Sequence, residues 1–176
     1  LASRSKTGSL EDWRRVSERL RQGDIKLLLV HGVNPVHGLP PAEGLDLRAA
    51  LNRDDLFIAS FSSFNDDTTT MADLVLPDRM SLEEWGDDVP EPGPGYQVVG
   101  MQQPVVNPLA SLNPRSFPDL LLTLAQELGS DMEAALPWGS FQEVLQDGAR
   151  KLFELNRGSI TEPTFGAFWN RLLQQG

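Results

Sequence analysis

The chain is 176 residues long, 40% apolar and 23% charged, and carries a net charge of −10. Its 15 Lys and Arg residues are scattered without a stripe, which excludes nucleic acid as a partner. The absence of cysteine excludes disulfides, thiolate metal sites, iron–sulfur clusters and cysteine nucleophiles within these residues, and its longest apolar stretch, 25–30, falls far short of the roughly 18 residues a membrane-spanning helix needs, which excludes direct membrane insertion.

The chain opens on a leucine, and its Ser/Lys/Thr/Gly leader has neither the apolar core nor the cleavage pattern of a signal peptide, so a piece of a longer polypeptide is expected. Ser9 with Asp12 three residues on forms a helix start, and Leu10, Trp13, Val16 and Leu20 recur at helical spacing until Gly23. Residues 25–30 then read as a strand buried on both faces, as in parallel sheets covered by helices. A short helix over 45–51 and a second buried strand over 56–61 continue the α/β alternation. Residues 67–73 fit a helical turn, and 74–76 a third short strand halted by Pro77. Residues 78–114 form a long irregular loop region, with the Pro/Gly run 90–95 at its centre and 96–99 its only strand-like patch. Helices are expected over 118–128, where Gly129 is a stop, and over 140–154 and 164–174. The fold class is thus α/β, a Rossmann-like parallel sheet flanked by the helices at 10–22 and 118–128, with a helical C-terminus. The expected organisation is a domain over 1–136 and a helical extension over 137–176.

Two strand ends carry the chemistry. HGVNP at 31–35 follows the first strand, where ligands of open parallel sheets lie and where glycine lets a phosphate or base approach the backbone. The same residues also suit a tight turn in which Gly32 supplies an unusual φ and Asn34 bonds its own backbone before Pro35. FSSFNDDTTT at 61–70 follows the second strand and crowds hydroxyls and carboxylates there; singly, Asp66 or Asp67 is an ordinary helix cap. Two neighbouring strands both ending in ligand-shaped turns favour a binding role. Other clusters are weaker. His31 and His37 are six residues apart with a proline between them and no third ligand, and they read as solvated or capping residues. Asp87, Asp88 and Glu91 read as solvated loop acids, and Trp13, Trp85, Trp138 and Trp169 as separate helix-face or interface anchors. The Gly-x-Gly-x-x-Gly turn of the usual dinucleotide fold is absent.

GVNP at 32–35, FNDDT at 64–68, ADLVLP at 72–77, LEEWGD at 82–87, Gln103-Pro104 and the helix ending at Gly129 together resemble the molybdopterin-dinucleotide oxidoreductases of the dimethyl sulfoxide reductase superfamily. The likeness runs over roughly residues 25–130. It implies a Rossmann-like domain that helps hold the guanosine end of a molybdopterin guanine dinucleotide, with molybdenum or tungsten in the parent protein. It implies that Gly32, Asn34 and Pro35 line the dinucleotide pocket, that Asp67 and Thr68 shape its rim, and that Asp73, Pro77 and Glu83 match family positions. Ser62 stands where many members carry an acid able to pair with guanine, and a serine cannot pair with two donors as a carboxylate does. The family's cluster-binding cysteines and metal-ligating residue lie upstream of the matching stretch, so no catalytic or metal residue is assigned here and any iron–sulfur cluster belongs to regions beyond this chain. The implied partners are other domains of the same polypeptide and iron–sulfur or membrane subunits, in a bacterial cytoplasmic or periplasmic setting with membrane association through those subunits. The alternative is a cofactor-free scaffold of the same fold, of the alternative complex III type. The cofactor reading further requires that the two turns converge within a nucleotide's width, and that the face bearing Gly32, Ser62 and Asp67 be an open, partly polar concavity.

Overall fold

The computed structural model describes residues 8–39, 41–42, 45–90 and 95–175; Glu91 and most of the expected 90–95 loop lie outside them. The chain divides into two compact units, one formed by the stretch up to Asp78 with Ser111–Pro114, the other by Arg79–Ala110 and the chain from Arg115 on.

In the first unit, helix α1 (Leu10–Gln22) begins as its sequence dictates. The Ser9 hydroxyl accepts from the Asp12 N–H (3.2 Å), and the Asp12 carboxylate accepts from the Ser9 N–H (2.8 Å), a reciprocal capping box. The Ser9 N–H and hydroxyl both donate to the Asp12 carboxylate and hold it below its usual range. Gly23, at φ +82°, ends the helix. Strands β1 (Leu27–His31), β2 (Phe57–Ser62) and β3 (Leu74–Pro77) form a parallel sheet in the order β1-β2-β3, with Leu29 opposite Ala59 and Ala59 opposite Leu74. Between β1 and β2 lie two short helices, α2 (Pro35–Gly38) and α3 (Leu47–Leu51).

The core joins Leu20 of α1, Val30 of β1, Leu47, Ala50 and Leu51 of α3 and Ile58 of β2, with Trp13, Val16 and Leu28 packed against it. Burial of each large aliphatic side chain contributes about 1.5–3 kcal/mol. The parallel pairing expected for β1 and β2 is present, but burial of β1 on both faces is not. Ile58, Ala59, Ser60 and Phe61 of central β2 are all buried, whereas Leu27 and Leu29 of β1 are 57% and 43% exposed. The reason is position: β1 is an outer strand, and its Leu28/Val30 face is the one turned toward the α1 and α3 core.

The second unit holds the irregular stretch and the C-terminal helices. Here β4 (Gly86–Asp88) pairs antiparallel with β5 (Gly100–Gln102). The strand-like patch expected at 96–99 is displaced into β5, because register against β4 rather than local propensity decides where the ribbon forms. Helix α4 (Phe117–Leu128) ends at Gly129, whose φ of +97° turns the chain directly into an unexpected helix α5 (Ser130–Ala135). Helix α4 packs on α5 and on α6 (Phe141–Leu155), and α6 packs on α7 (Phe165–Gln175). The Asp119 carboxylate accepts from the Phe141 N–H (2.7 Å), tying the starts of α4 and α6. Trp85 and Trp169, expected as separate anchors, stack with centroids 6.1 Å apart in a core with Met101, Leu145 and Phe168. Their 84-residue separation hides a contact that only the tertiary fold creates.

Candidate functional site

The carboxyl end of the parallel sheet is where β1 and β2 each stop in a polar turn. Beyond β1, Gly32 donates its N–H to the Phe61 carbonyl (3.1 Å), continuing the ladder one step, and then takes φ +60°. That left-handed conformation favours glycine. A Cβ built on Gly32 meets nothing within 4 Å, so the space above this backbone is open. Ser62 lies next to it across the ladder, since His31 is opposite Phe61. Its hydroxyl closes a local turn, donating to the Phe64 carbonyl (2.8 Å) and accepting from the Phe64 N–H (3.2 Å).

Asn34 ties the two turns together. It caps α2, its side-chain carbonyl accepting from the His37 N–H (3.3 Å), while Pro35 occupies the first helical turn, where its missing N–H costs nothing. The same carbonyl accepts from the Thr68 hydroxyl (2.7 Å) and the Thr68 N–H (3.3 Å). Its amide donates to Asp67 (3.4 Å), and the Thr68 hydroxyl accepts from the Val36 N–H (3.1 Å). Thr68 is fully buried. Residues 34 positions apart are thereby fixed in one knot, and Asn34, Asp67 and Thr68 meet directly.

Around this knot stand charged groups. Asp67 also accepts from Arg48 of α3 (3.3 Å) and lies 3.7 Å from the His37 ring. His31 Nε2 lies 2.6 Å from a carboxylate oxygen of Asp78, whose side chain is buried just past β3, and Ser63 donates to the Asp78 carbonyl (3.2 Å). The two histidines therefore serve different carboxylates. Phe64 projects from the second turn, 68% exposed. Arg48 and Asp78 carry no motif of their own as site residues, and Phe64 opens the FNDDT stretch without having been singled out in it. Their signal was positional, Asp78 following a strand end and Phe64 sitting inside the second turn.

Several residues of the resemblance hold the framework. Asp73 accepts from the Ile58 N–H (2.7 Å) at the entry to β2, and Glu83 accepts from the Met80 N–H (3.0 Å) in the second unit. The carboxyl end thus offers a rigid floor of two locked turns, an open backbone approach at Gly32, an exposed aromatic ring and a mixed-charge rim.

No protein-family model matches the chain. Among curated proteins, a stretch of 121 residues, 69% of this chain, is 35% identical to the protein described as the menaquinone reductase, molybdopterin-binding-like subunit of Nitratidesulfovibrio vulgaris (strain Hildenborough). The similar stretch spans only 16% of that relative's length. This likeness supports kinship with molybdopterin oxidoreductase-related proteins.

Proposed function

We propose that this chain contributes a cofactor-holding domain to a molybdopterin-dependent redox subunit, its two locked turns bearing on the guanosine end of a molybdopterin guanine dinucleotide. The observation that carries the reading is the Asn34–Thr68 knot, which brings the turns beyond β1 and β2 together while leaving the backbone at Gly32 open. The residues fit such a ligand: Gly32 admits close approach, Phe64 presents a ring face to a base, and Arg48 adds positive charge at the rim. Asn34, Pro35 and Thr68 hold the floor's shape, Asp67 sets the rim, and Ser62 shapes its turn with a hydroxyl already engaged. Molybdenum or tungsten on the bound cofactor would supply the redox chemistry. This chain's residues would bind and orient the far end of that group. Residues 1–136 would form the cofactor-binding domain and 137–176 its helical extension, working beside other domains and beside subunits that carry electrons to or from a quinone.

The test is cofactor content of the protein purified from its native host, by metal analysis and pterin fluorescence. Gly32→Asn keeps a residue type that tolerates the left-handed conformation but fills the open space; it should retain the fold, checked by circular dichroism, and lose most of the pterin. Asn34→Ala should lose pterin as well. Wild-type loading in both variants overturns the proposal, and no pterin in the wild type points to the cofactor-free scaffold.

A further inference from the structure

The turn that follows β2 is held in two separate places, and the Asn34–Thr68 knot accounts for one of them. Its later half is tied by that knot and by the Asp66 carboxylate, which accepts from the Thr69 N–H (2.8 Å). Its earlier half bonds instead to Asp78, the residue after β3. The Asp78 N–H donates to the Ser62 carbonyl (3.4 Å), and the Asp78 carbonyl accepts from the Ser63 hydroxyl (3.2 Å). Phe64 comes next, its own N–H and carbonyl each bonded to the Ser62 hydroxyl. The exposed Asn65 separates the two halves. What orients Asp78 is thus what orients the stretch that carries the exposed ring.

Asp78 in turn is gripped by His31. By register His31, Phe61 and Leu76 lie side by side on one face of the sheet, and Asp78, two residues past Leu76, returns to that face. The imidazole therefore reaches across the end of β2, from the outer strand β1 to the residue past β3, and its Nε2 lies 2.6 Å from the carboxylate. An ionised carboxylate only accepts, so Nε2 carries the proton. The Asp78 side chain is 6% exposed and that of His31 42%. Burial makes the carboxylate depend on the donor beside it, whereas an exposed pair would be held loosely. These bonds use no residue of the Asn34–Thr68 knot.

We infer that His31 is a positioning residue of the carboxyl end: acting through Asp78, it fixes residues 62–64 and with them the direction in which Phe64 presents its ring. Its bearing on a ligand rests on the cofactor reading above, in which Phe64 takes a base; its hold on the turn does not. A ring already aimed where the base arrives stacks without first being ordered, and ordering a side chain on binding costs affinity. The half of the turn tied to Asn34 shapes the floor, and the His31–Asp78 pair aims the ring.

Backbone ¹⁵N relaxation of the 176-residue chain without ligand gives the first readout. In the wild type the Ser63 and Phe64 amides should be as ordered as the sheet, with order parameters of about 0.85; in His31→Leu they should fall below about 0.6, while those of Asn34 and Thr68 stay unchanged. His31→Gln offers an amide N–H where Nε2 stands and should restore the order, a rescue that a general loss of stability would not show. Ser63→Ala removes only the donor to the Asp78 carbonyl, at an exposed position. It should loosen Phe64 in the same way, and it decides the matter should His31→Leu fail to fold. Guanosine diphosphate, titrated into the same proteins, should bind about fivefold more weakly to His31→Leu and Ser63→Ala than to the wild type or His31→Gln. A mobile Phe64 amide in the wild type, unchanged order in the variants, no rescue by glutamine, or equal nucleotide affinity throughout overturns the inference. A turn that loosens and is rescued as stated, in a chain whose wild type takes up no guanosine diphosphate, upholds the positioning role and overturns the cofactor reading alone.

Discussion

The two ends of the three-stranded sheet are tied off by different physics. At the amino end, Lys26 before β1 and Arg53 before β2 both pair with Asp55, which is half-exposed. The Lys26 bond, reinforced by Arg53, lowers the Asp55 carboxyl to about 2. At the carboxyl end, Asn34 and the fully buried Thr68 make neutral hydrogen bonds, with charges only around the rim. Water and salt screen the first clasp, so its geometry is forgiving. The second is shielded, so each group depends on its partner. The end to which the proposed function gives a fixed surface is the one held by part-buried, directional bonds.

Substitutions at the two ends should therefore differ in size. Asn34→Ala strands the buried Thr68 donors and removes the cap of α2, and should cost about 2–4 kcal/mol in urea unfolding; a loss below about 1 kcal/mol would break the contrast. A Cβ at Gly32 meets no neighbour, so the cost of Gly32→Val is set chiefly by backbone conformation, about 1–3 kcal/mol, against no more than about 1 kcal/mol for Gly32→Asn. Equal costs for the two would mean that the left-handed φ is not what glycine supplies there. The smallest effect belongs to the amino end. An unfolded Asp55 takes up its proton near 3.8, whereas the folded residue resists until about 2. Its contribution to stability is thus present above about pH 4 and lost as pH falls toward 2. Asp55→Asn should lower the melting temperature slightly at pH 7, where that contribution is present, flatten its pH dependence across that window, and leave it nearly unchanged near pH 2.

Much of the framework could be read locally. The Ser9/Asp12 box, the Gly23 stop and the parallel pairing of β1 with β2 follow from cap residues and apolar runs a few positions long. What the sequence concealed depends on distant partners. An apolar run such as LLLV gives no sign of whether its strand is central or outer, and so the exposure of Leu27 and Leu29 was not legible. Gly129 reads as a helix stop, and it is one, but the same positive φ leads straight into α5. At the site, the sequence marked both turns and the residues in them. It did not show that Asn34 spends its side chain on Thr68 and Asp67, because that bond spans 34 residues and forms only once the sheet has aligned the two turns. Arg48 was invisible for the same reason, as it reaches Asp67 from another helix.

The central claim is that the carboxyl end, and not the amino end, is the ligand-bearing edge of this sheet. Titration of the ¹⁵N-labelled chain with guanosine diphosphate, followed by amide chemical shifts, tests it most directly. The account predicts weak, saturable shifts at Gly32, Val33, Phe64, Asp67 and Thr68, absent in Gly32→Asn and smaller with adenosine diphosphate. Shifts confined to Lys26, Arg53 and Asp55, or identical shifts in Gly32→Asn, would contradict it.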